Sequence, residues 1–192
     1  MTSRLRGIHE THGALPGSCF NDAMIVMMAG LPGTGKTTLA RELAARTSGR
    51  VLSKDEVRHA LFSAEEIEYS SRQDDFCGQV MLETAGFLFR QDRERIVFLD
   101  GRLFSRRYQI ENVVNAAESL RQEWRILECM CAEEIARQRL EEQGREHPAA
   151  NRDFQLYLEV RSRFEAITRP KTVIDTGLLL ESCVQQALAA IR

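Results

Sequence analysis

The chain has 192 residues, and its 26 Lys and Arg residues nearly balance 28 Asp and Glu residues. This length supports one substantial core and leaves little room for a second domain. The balanced charge argues against a general basic field for binding nucleic acid or an anionic membrane. No apolar run approaches the roughly 18 residues that a membrane helix needs, so we expect no membrane partner. The five scattered cysteines, an odd number, indicate a reduced, cytoplasmic protein.

The chain begins with a segment that differs in pattern from the remainder. Residues 1–22 contain glycine and proline among polar residues without a sustained period, which predicts a flexible leader. From residue 23 to residue 192, short apolar runs alternate with amphipathic stretches, so we expect a single α/β domain with a parallel sheet covered by helices on both faces. The five expected strands are residues 24–29, 51–52, 96–99, 126–130 and 173–174. Later helices are expected from about residue 151 to 166 and from about residue 181.

A glycine-rich sequence directly follows the first predicted strand. Residues 30–38 read GLPGTGKTT and complete the pattern G-x-x-x-x-G-K-T immediately before a helical pattern. Glycine allows the backbone to curl tightly and to turn its N–H groups toward phosphate oxygens. We expect Lys36 to be exposed and to reach the β and γ phosphates of ATP, and the Thr37 hydroxyl to bind Mg²⁺. The predicted nucleotide-binding residues of this loop are Gly30, Gly33, Thr34, Gly35, Lys36, Thr37 and Thr38.

An acidic residue ends the third predicted strand. Residues 95–100 read RIVFLD, and a carboxylate at this place in a P-loop domain holds Mg²⁺, often through water. We therefore predict that Asp100 and Thr37 form the metal side of the site. A cap of the turn at Gly101 is an alternative role for Asp100, and the two roles are compatible.

A second acidic residue follows the second predicted strand. Ser53 and Glu56 have the spacing of a capping box, and Asp55 would then be an acid in the first helical turn. Capping alone does not require Arg58, which shares a helix face with Asp55. At the carboxyl edge of a parallel sheet, Asp55 could accept a proton from an acceptor hydroxyl while Arg58 holds an anionic group of the acceptor. Both the capping and the functional interpretation remain open.

These three motifs together resemble the small P-loop kinases that include polynucleotide 5′-hydroxyl kinases, gluconate kinases, chloramphenicol phosphotransferase and zeta toxins. The resemblance covers about residues 24 to 177 and implies the strand order 2-3-1-4-5. It also implies that adenine lies near residues 175–177, after the fifth strand. With Arg139, which the resemblance implies, the predicted catalytic residues are Lys36, Asp55 and Arg139.

The same resemblance implies a mobile lid around residues 137–150, after the fourth strand. Arg139 and Arg145 are the lid arginines expected at the transferring phosphate, with surface charge on an exposed helix as the alternative. In an acceptor-free state, we expect residues from about 139 to 150 to be poorly ordered or to stand away from the P-loop. Arg102, which follows Asp100, is a further candidate for acceptor binding.

Three functions are consistent with these patterns. Compact size, balanced charge and the lack of an added nucleic-acid module favour a kinase that uses ATP and Mg²⁺ to phosphorylate a hydroxyl of a small molecule. The first alternative is a polynucleotide 5′-hydroxyl kinase, in which Arg58 would hold an acceptor phosphate. The second is a nucleotide-dependent switch or NTPase without a phosphoryl acceptor.

Overall fold

A computed structural model gives the structure of the protein and describes residues 23–101, 104–143 and 153–192. The predicted leader, Arg102, Arg145 and the second half of the predicted lid, residues 144–150, lie outside the described residues. No helix in the described ranges combines the length and the apolar character needed to cross a membrane.

Strands and helices alternate along the described chain, as the sequence predicts. The strands are β1 (Met24–Ala29), β2 (Arg50–Ser53), β3 (Ile96–Asp100), β4 (Glu123–Met130) and β5 (Thr172–Asp175). The helices are α1 (Lys36–Thr47), α2 (Lys54–Leu61), α3 (Ser71–Gln91), α4 (Arg107–Leu120), α5 (Glu133–Gln143), α6 (Phe154–Ser162) and α7 (Leu180–Ala190). A short 3₁₀ helix covers Ala64–Glu66.

The five strands form one parallel sheet in the order β2-β3-β1-β4-β5, which confirms the predicted fold and strand order. All residues of β1 and β3 are buried, because these strands are central and helices cover both faces. Their nearly continuous apolar sequence is therefore what a central parallel strand requires.

The sheet divides the apolar core into two layers. Successive side chains of a strand point to opposite faces. Thus Met27 packs in the layer that α3 and α4 cover, and its neighbour Met28 packs in the layer that α1 and α7 cover. The parallel direction of every strand brings all five carboxyl ends to one edge, where the loops that carry the sequence motifs meet.

Two elements differ from their predicted bounds by more than one residue at an end. β4 begins at Glu123 rather than near residue 126, because its polar first residues still pair with the start of β1. The helix expected from about residue 151 to 166 is α6, which ends at Ser162. Asp153 caps it, with its side chain accepting a hydrogen bond from Leu156 N at 2.8 Å.

Candidate active site

The glycine-rich loop between β1 and α1 has the backbone that its sequence predicts. Gly30, Gly33 and Gly35 all have positive φ angles, of 130°, 76° and 74°. A Cβ atom at Gly30 would lie 2.3 Å from the carbonyl oxygen of Cys129, and one at Gly33 would lie 2.8 Å from that of Ala136. These glycines are thus required both by their conformation and by close contact with β4 and α5.

Lys36 is the first residue of α1 and differs from the sequence expectation in its exposure. Only 5 % of the residue is exposed, and its Nζ donates a hydrogen bond to the Leu31 carbonyl at 2.6 Å. The expectation of an exposed lysine is therefore wrong. Its ammonium group nevertheless lies at the loop, since Leu31 belongs to the same turn. Thr37 is half-buried and Thr38 is exposed in the following helical turn.

Asp100 lies at the end of β3, beside Ser53 of β2. It is 1 % exposed, and its Oδ1 has no hydrogen-bond partner among the described residues. A buried carboxylate oxygen without a donor is costly, so the site fits a cation or its bound water. That Thr37 and Asp100 hold Mg²⁺ stays a prediction. Across the described ranges, no group of three or more His, Cys, Asp and Glu residues could hold a metal by itself.

The charges of Lys36 and Asp100 both act on the Cys129 thiol near the end of β4. Burial raises the pKa of this thiol to about 12, while the Lys36 ammonium acts to lower it and the Asp100 carboxylate acts to raise it. Lys36 begins α1 directly after the P-loop, and Asp100 ends β3, which pairs with β1. Cys129 itself is a core thiol.

The turn after Asp100 contacts the start of α2. Gly101 has a φ angle of 80°, and a Cβ atom there would lie 3.2 Å from Lys54 N and 3.4 Å from Asp55 N. This close approach brings the proposed metal side and the proposed base to the same part of the sheet edge. Ser53 Oγ caps α2 by accepting a hydrogen bond from Glu56 N at 3.4 Å, so Asp55 lies in the first turn as predicted.

Four charged residues from α2 and α3 form a cluster, here called the α2–α3 charge cluster: Lys54, Asp55, Arg58 and Asp74. Arg58 Nη1 donates to Asp55 Oδ1 at 3.1 Å, and its Nη2 donates to Asp74 Oδ1. Lys54 Nζ lies 2.7 Å from Asp74 Oδ1 and 3.8 Å from Asp55 Oδ1. The two carboxylates are thus held between two cations.

Arg58 does not occupy the position that the sequence interpretation gave it. The interpretation directed its guanidinium toward an anion of the acceptor, yet the residue is 1 % exposed and its partners are protein side chains. Its third donor, Nε, binds Gln73 Oε1 at 3.2 Å. In this structure, Arg58 is a positioning residue for Asp55 and Asp74.

Arg139 approaches the P-loop from α5. Its Nη2 donates to the Thr176 carbonyl at 2.8 Å, and a Cβ atom at Gly35 would lie 3.4 Å from its Nη1. The Thr176 hydroxyl is 2.9 Å from both the Thr34 and the Met130 carbonyl oxygens. Thr176, in the turn after β5, therefore links the P-loop, the end of β4 and α5.

The start of the predicted lid is packed rather than open. Leu140 is buried, and its Cγ would lie 2.9 Å from a Cβ atom at Gly33. The expectation that residues from about 139 stand away from the P-loop is therefore wrong for Arg139 and Leu140. Arg137 joins α5 to α6, with its guanidinium carbon 3.7 Å from the centre of the Phe154 ring.

Sequence reasoning missed the roles of Lys54 and Thr176 in this site, and it considered Asp74, with Asp75, only as a replacement base should Asp55 prove to be a cap. Lys54 directly precedes Asp55, and its position in the first turn of α2 was the available signal. Asp74 is 20 residues beyond Lys54, and no local pattern links the two. Thr176 lies in the segment expected near adenine, but its bonds to the P-loop and to Arg139 depend on the packing of β5 against β4.

A family model described as "AAA domain" matches residues 25–167. The chain belongs to this AAA domain family. The match spans the P-loop, Asp100 and the α2–α3 charge cluster, and it confirms the resemblance to P-loop kinases. Among curated protein sequences, none matches the chain.

Solved structures with the same fold include several kinases. A gluconokinase from Sinorhizobium meliloti 1021 is 16% identical, with 90% of this chain and 92% of that chain covered and a TM-score of 0.63. A kinase from Chloroflexus aurantiacus j-10-fl, described as putative, is 20% identical, with 90% and 100% covered and a TM-score of 0.68. The Mycobacterium tuberculosis APS kinase CysC, in complex with AMPPNP and APS, is 12% identical, with 89% and 98% covered and a TM-score of 0.63. At these identities, the likeness establishes the fold of the AAA domain.

Proposed function

We propose that this AAA domain is an ATP-dependent kinase that transfers the γ-phosphoryl group to a hydroxyl of a small-molecule acceptor. The observation that carries the proposal is the contact between Gly101 and the start of α2. Through this contact, the backbone of Asp55 lies next to the turn that follows Asp100. A nucleotide switch without an acceptor has no need of a carboxylate at that place.

Nucleotide binding would rest on the P-loop and on two side chains that adjoin it. Lys36 would leave the Leu31 carbonyl for the β and γ phosphates, because its ammonium group bonds more strongly to an anionic oxygen than to a neutral one. Arg139, beside Gly35, would add charge at the transferring phosphate. Thr37 and Asp100 would hold Mg²⁺, which when bound neutralises phosphate charge. Arg145 is retained as a second lid arginine in this proposal.

Asp55 would act on the acceptor. The proton of the acceptor hydroxyl goes to the Asp55 carboxylate, and the hydroxyl oxygen forms a bond to the γ-phosphorus. The bond from that phosphorus to the β–γ bridging oxygen breaks, and ADP is the product. Alignment and charge stabilisation account for most of the catalysis in phosphoryl transfer, so no covalent enzyme intermediate is required.

A small acceptor is favoured over a nucleic acid by the formal net charge of −2, which provides no general attraction for a phosphate backbone. The gluconokinase and the APS kinase are named for small-molecule acceptors, which supports the same choice. The free thiols of Cys77, Cys129, Cys131 and Cys183 are consistent with a reducing, cytoplasmic location.

The proposal is tested by replacing Asp55 with Asn after an acceptor has been found. A screen of sugars, nucleosides, amino alcohols, antibiotics and 5′-hydroxyl oligonucleotides for stimulated ADP release would identify that acceptor. Asn retains the size and much of the capping ability of Asp, so Asp55→Asn should lose at most about 1 kcal/mol of stability. Acceptor-dependent turnover should fall about 10²–10⁴-fold, because the amide cannot take the hydroxyl proton.

ATP affinity and thermal melting are measured on the same Asp55→Asn preparation. Glu56→Gln is the matched control, since Glu56 is an acid in the same helical turn. Turnover within a few fold of wild type would show that Asp55 is only a cap. If no acceptor in the screen increases ADP release while ATP binds normally, the switch alternative replaces the kinase proposal.

A further inference from the structure

The loop between α2 and α3 contacts Arg58 through the side chain of Gln73. Gln73 is 6% exposed and lies in the first turn of α3. Its Oε1 accepts a hydrogen bond from Arg58 Nε at 3.2 Å and another from Glu68 N at 3.1 Å. Its Nε2 donates to the Glu66 carbonyl at 2.9 Å. The amide is therefore bonded at both ends, and this fixes the oxygen that accepts from Arg58.

The residues before Gln73 hold it in place and add a second contact with Arg58. Ser70 caps α3, with its Oγ accepting a hydrogen bond from Gln73 N at 3.2 Å. Tyr69 has a φ angle of 49°, in the left-handed region that bulky side chains rarely adopt. Its ring centre lies 5.1 Å from the guanidinium carbon of Arg58. Because such a backbone conformation persists only where the surrounding structure holds it, the loop keeps the Tyr69 ring and the Gln73 amide against one guanidinium.

Arg58 extends this constraint to the Asp55 carboxylate. A guanidinium is planar, so a hydrogen bond at Nε also restricts the directions of its two Nη atoms. Arg58 Nη1 donates to Asp55 Oδ1 at 3.1 Å, whereas Lys54 Nζ lies 3.8 Å from the same oxygen. The position of this oxygen therefore depends more directly on Arg58 than on Lys54, and the orientation of Arg58 depends on Gln73.

We propose that Gln73 is a positioning residue for the transfer reaction. It fixes Arg58, which in turn holds the Asp55 carboxylate where the acceptor hydroxyl loses its proton. This inference rests on the proposed kinase function and adds to it a residue that acts through two others. A displacement of about 1 Å can cost about 10²-fold in rate, because the base must stay within hydrogen-bond reach of the hydroxyl.

The first test replaces Gln73 with Leu, which has a similar size and lacks both ends of the amide. With an acceptor from the screen, kcat should fall about 10–10²-fold, whereas KM for ATP should stay within about twofold because the P-loop is unchanged. Gln79→Leu is the matched control, since the exposed Gln79 of the same helix bonds to Glu83 at 3.1 Å. It should change neither constant. Wild-type kcat in a folded Gln73→Leu protein would overturn the inference.

A double-variant cycle tests whether Gln73 acts through Asp55. In the Asp55→Asn protein, adding Gln73→Leu should lower the residual turnover by less than about twofold, because the carboxylate that Gln73 positions is already absent. A further fall of about 10–10²-fold, as large as in the wild-type background, would show that the two residues act independently and would overturn the inference.

A spectroscopic test needs no turnover and so separates this inference from the kinase proposal. Exchange of the Arg58 Nε–H with solvent, followed in ¹H–¹⁵N spectra of the full chain, should be slow in wild type and at least about tenfold faster in Gln73→Leu. The carboxyl ¹³C signal of Asp55 should move in Gln73→Leu and stay unchanged in Gln79→Leu. Rapid exchange of this proton in wild type, or an unmoved Asp55 signal in Gln73→Leu, would overturn the inference.

Two further outcomes remain decisive. If no acceptor stimulates ADP release, the kinase proposal fails, but the spectra still determine whether Gln73 positions the Asp55 carboxylate. If Gln73→Leu fails to fold, Gln73→Asn replaces it, because its shorter side chain keeps an amide that cannot reach both Arg58 and the Glu66 carbonyl. Gln73→Asn should show faster Nε–H exchange and a moved Asp55 signal, and wild-type values of both would overturn the inference.

Discussion

Lys36 is buried, but its proposed role is to bind the phosphates of ATP rather than to pack in the core. The Leu31 carbonyl accepts a hydrogen bond from Lys36 Nζ and another from Thr34 Oγ1 at 2.8 Å. It therefore keeps a donor when Lys36 is replaced. Lys36→Ala should therefore lose no more than about 1 kcal/mol of stability. Nucleotide-dependent turnover should fall about 10²–10³-fold, as it does when one donor to a developing negative charge is removed. ADP release and thermal melting measure the two effects.

Arg41→Ala is the matched control for Lys36→Ala, because Arg41 lies on the exposed side of the same helix. It should change neither turnover nor the melting temperature beyond experimental error. Wild-type turnover in a folded Lys36→Ala protein would contradict the P-loop assignment.

Replacing Asp100 with Asn should have opposite effects on stability and on activity. Its Oδ1 is buried without a donor in the described part of the chain, so the carboxylate is costly in the metal-free protein. Asp100→Asn should raise the melting temperature without metal, because a neutral amide is less costly to bury. It should also weaken the Mg²⁺ dependence of turnover more than metal-free nucleotide binding, since an amide is a poorer partner for a hard cation or its waters.

The measurements are thermal melts in the presence of a chelator and ADP release across a Mg²⁺ titration. A lower melting temperature together with an unchanged Mg²⁺ titration would show that Asp100 only shapes the turn at Gly101.

At the scale of elements, the turn after β5 connects three parts of the site through one hydroxyl. Thr176→Val removes the donor to the Thr34 carbonyl, whereas Met130 O still accepts from the backbone N of residue 176 at 2.7 Å. One buried carbonyl without its donor costs about 1–3 kcal/mol. The melting temperature should therefore fall by about 2–12 °C for a domain of this size. ATP affinity should also fall, because the P-loop loses its hydrogen bond at Thr34, whereas Arg139 keeps its bond to the carbonyl of residue 176.

Thr176→Ser is the control for the turn, since it keeps the hydroxyl and should retain ATP affinity. Thr84→Val tests a hydroxyl that bonds only within its own helix, to the Val80 carbonyl at 2.8 Å, and should leave ATP affinity unchanged. Equal ATP affinity in Thr176→Val and Thr176→Ser would show that the hydroxyl does not support the nucleotide site.

The sequence pattern predicted those strands whose apolar residues match their burial in the sheet. β1 and β3 are predicted because central strands of a parallel sheet require apolar residues on both faces. The polar start of β4 is not predictable in this way, because its strand character comes from pairing with β1. The packed start of the lid was missed for a similar reason, because Leu140 is buried against Ala136 and Tyr157 and beside Gly33. Of these, Tyr157 and Gly33 lie outside the local pattern of α5.

The same distinction applies to the candidate site. The P-loop, Asp55 and Asp100 stand in local patterns whose chemistry can be recognised. The inward direction of Arg58 is not local, because it depends on Gln73 and Asp74 of α3. An arginine three residues after an acid fits both an acceptor ligand and a buried support, and only the packing of α2 against α3 distinguishes them.

At the scale of the whole molecule, the candidate site lies where the two core layers meet the edge of the sheet. α1, which begins with Lys36, packs in one layer, whereas Leu99, next to Asp100, packs in the other. A nucleotide held by the P-loop with Mg²⁺ at Asp100 would join both layers to β1. Binding should therefore stabilise the domain as a unit rather than a single loop.

The size of this stabilisation follows from linkage between binding and unfolding. A non-hydrolysable ATP analogue at 100 times its dissociation constant should add about 2.7 kcal/mol. For a domain of this length, that corresponds to a rise of about 5–11 °C in the melting temperature. In the presence of Mg²⁺, wild type should show one cooperative transition that moves upward with ligand concentration, and Asp100→Asn should show a smaller shift at the same concentration. Lys36→Ala should show almost none. A shift of equal size in all three proteins would mean that the analogue binds elsewhere, because neither the P-loop lysine nor the buried carboxylate would then contribute to its affinity.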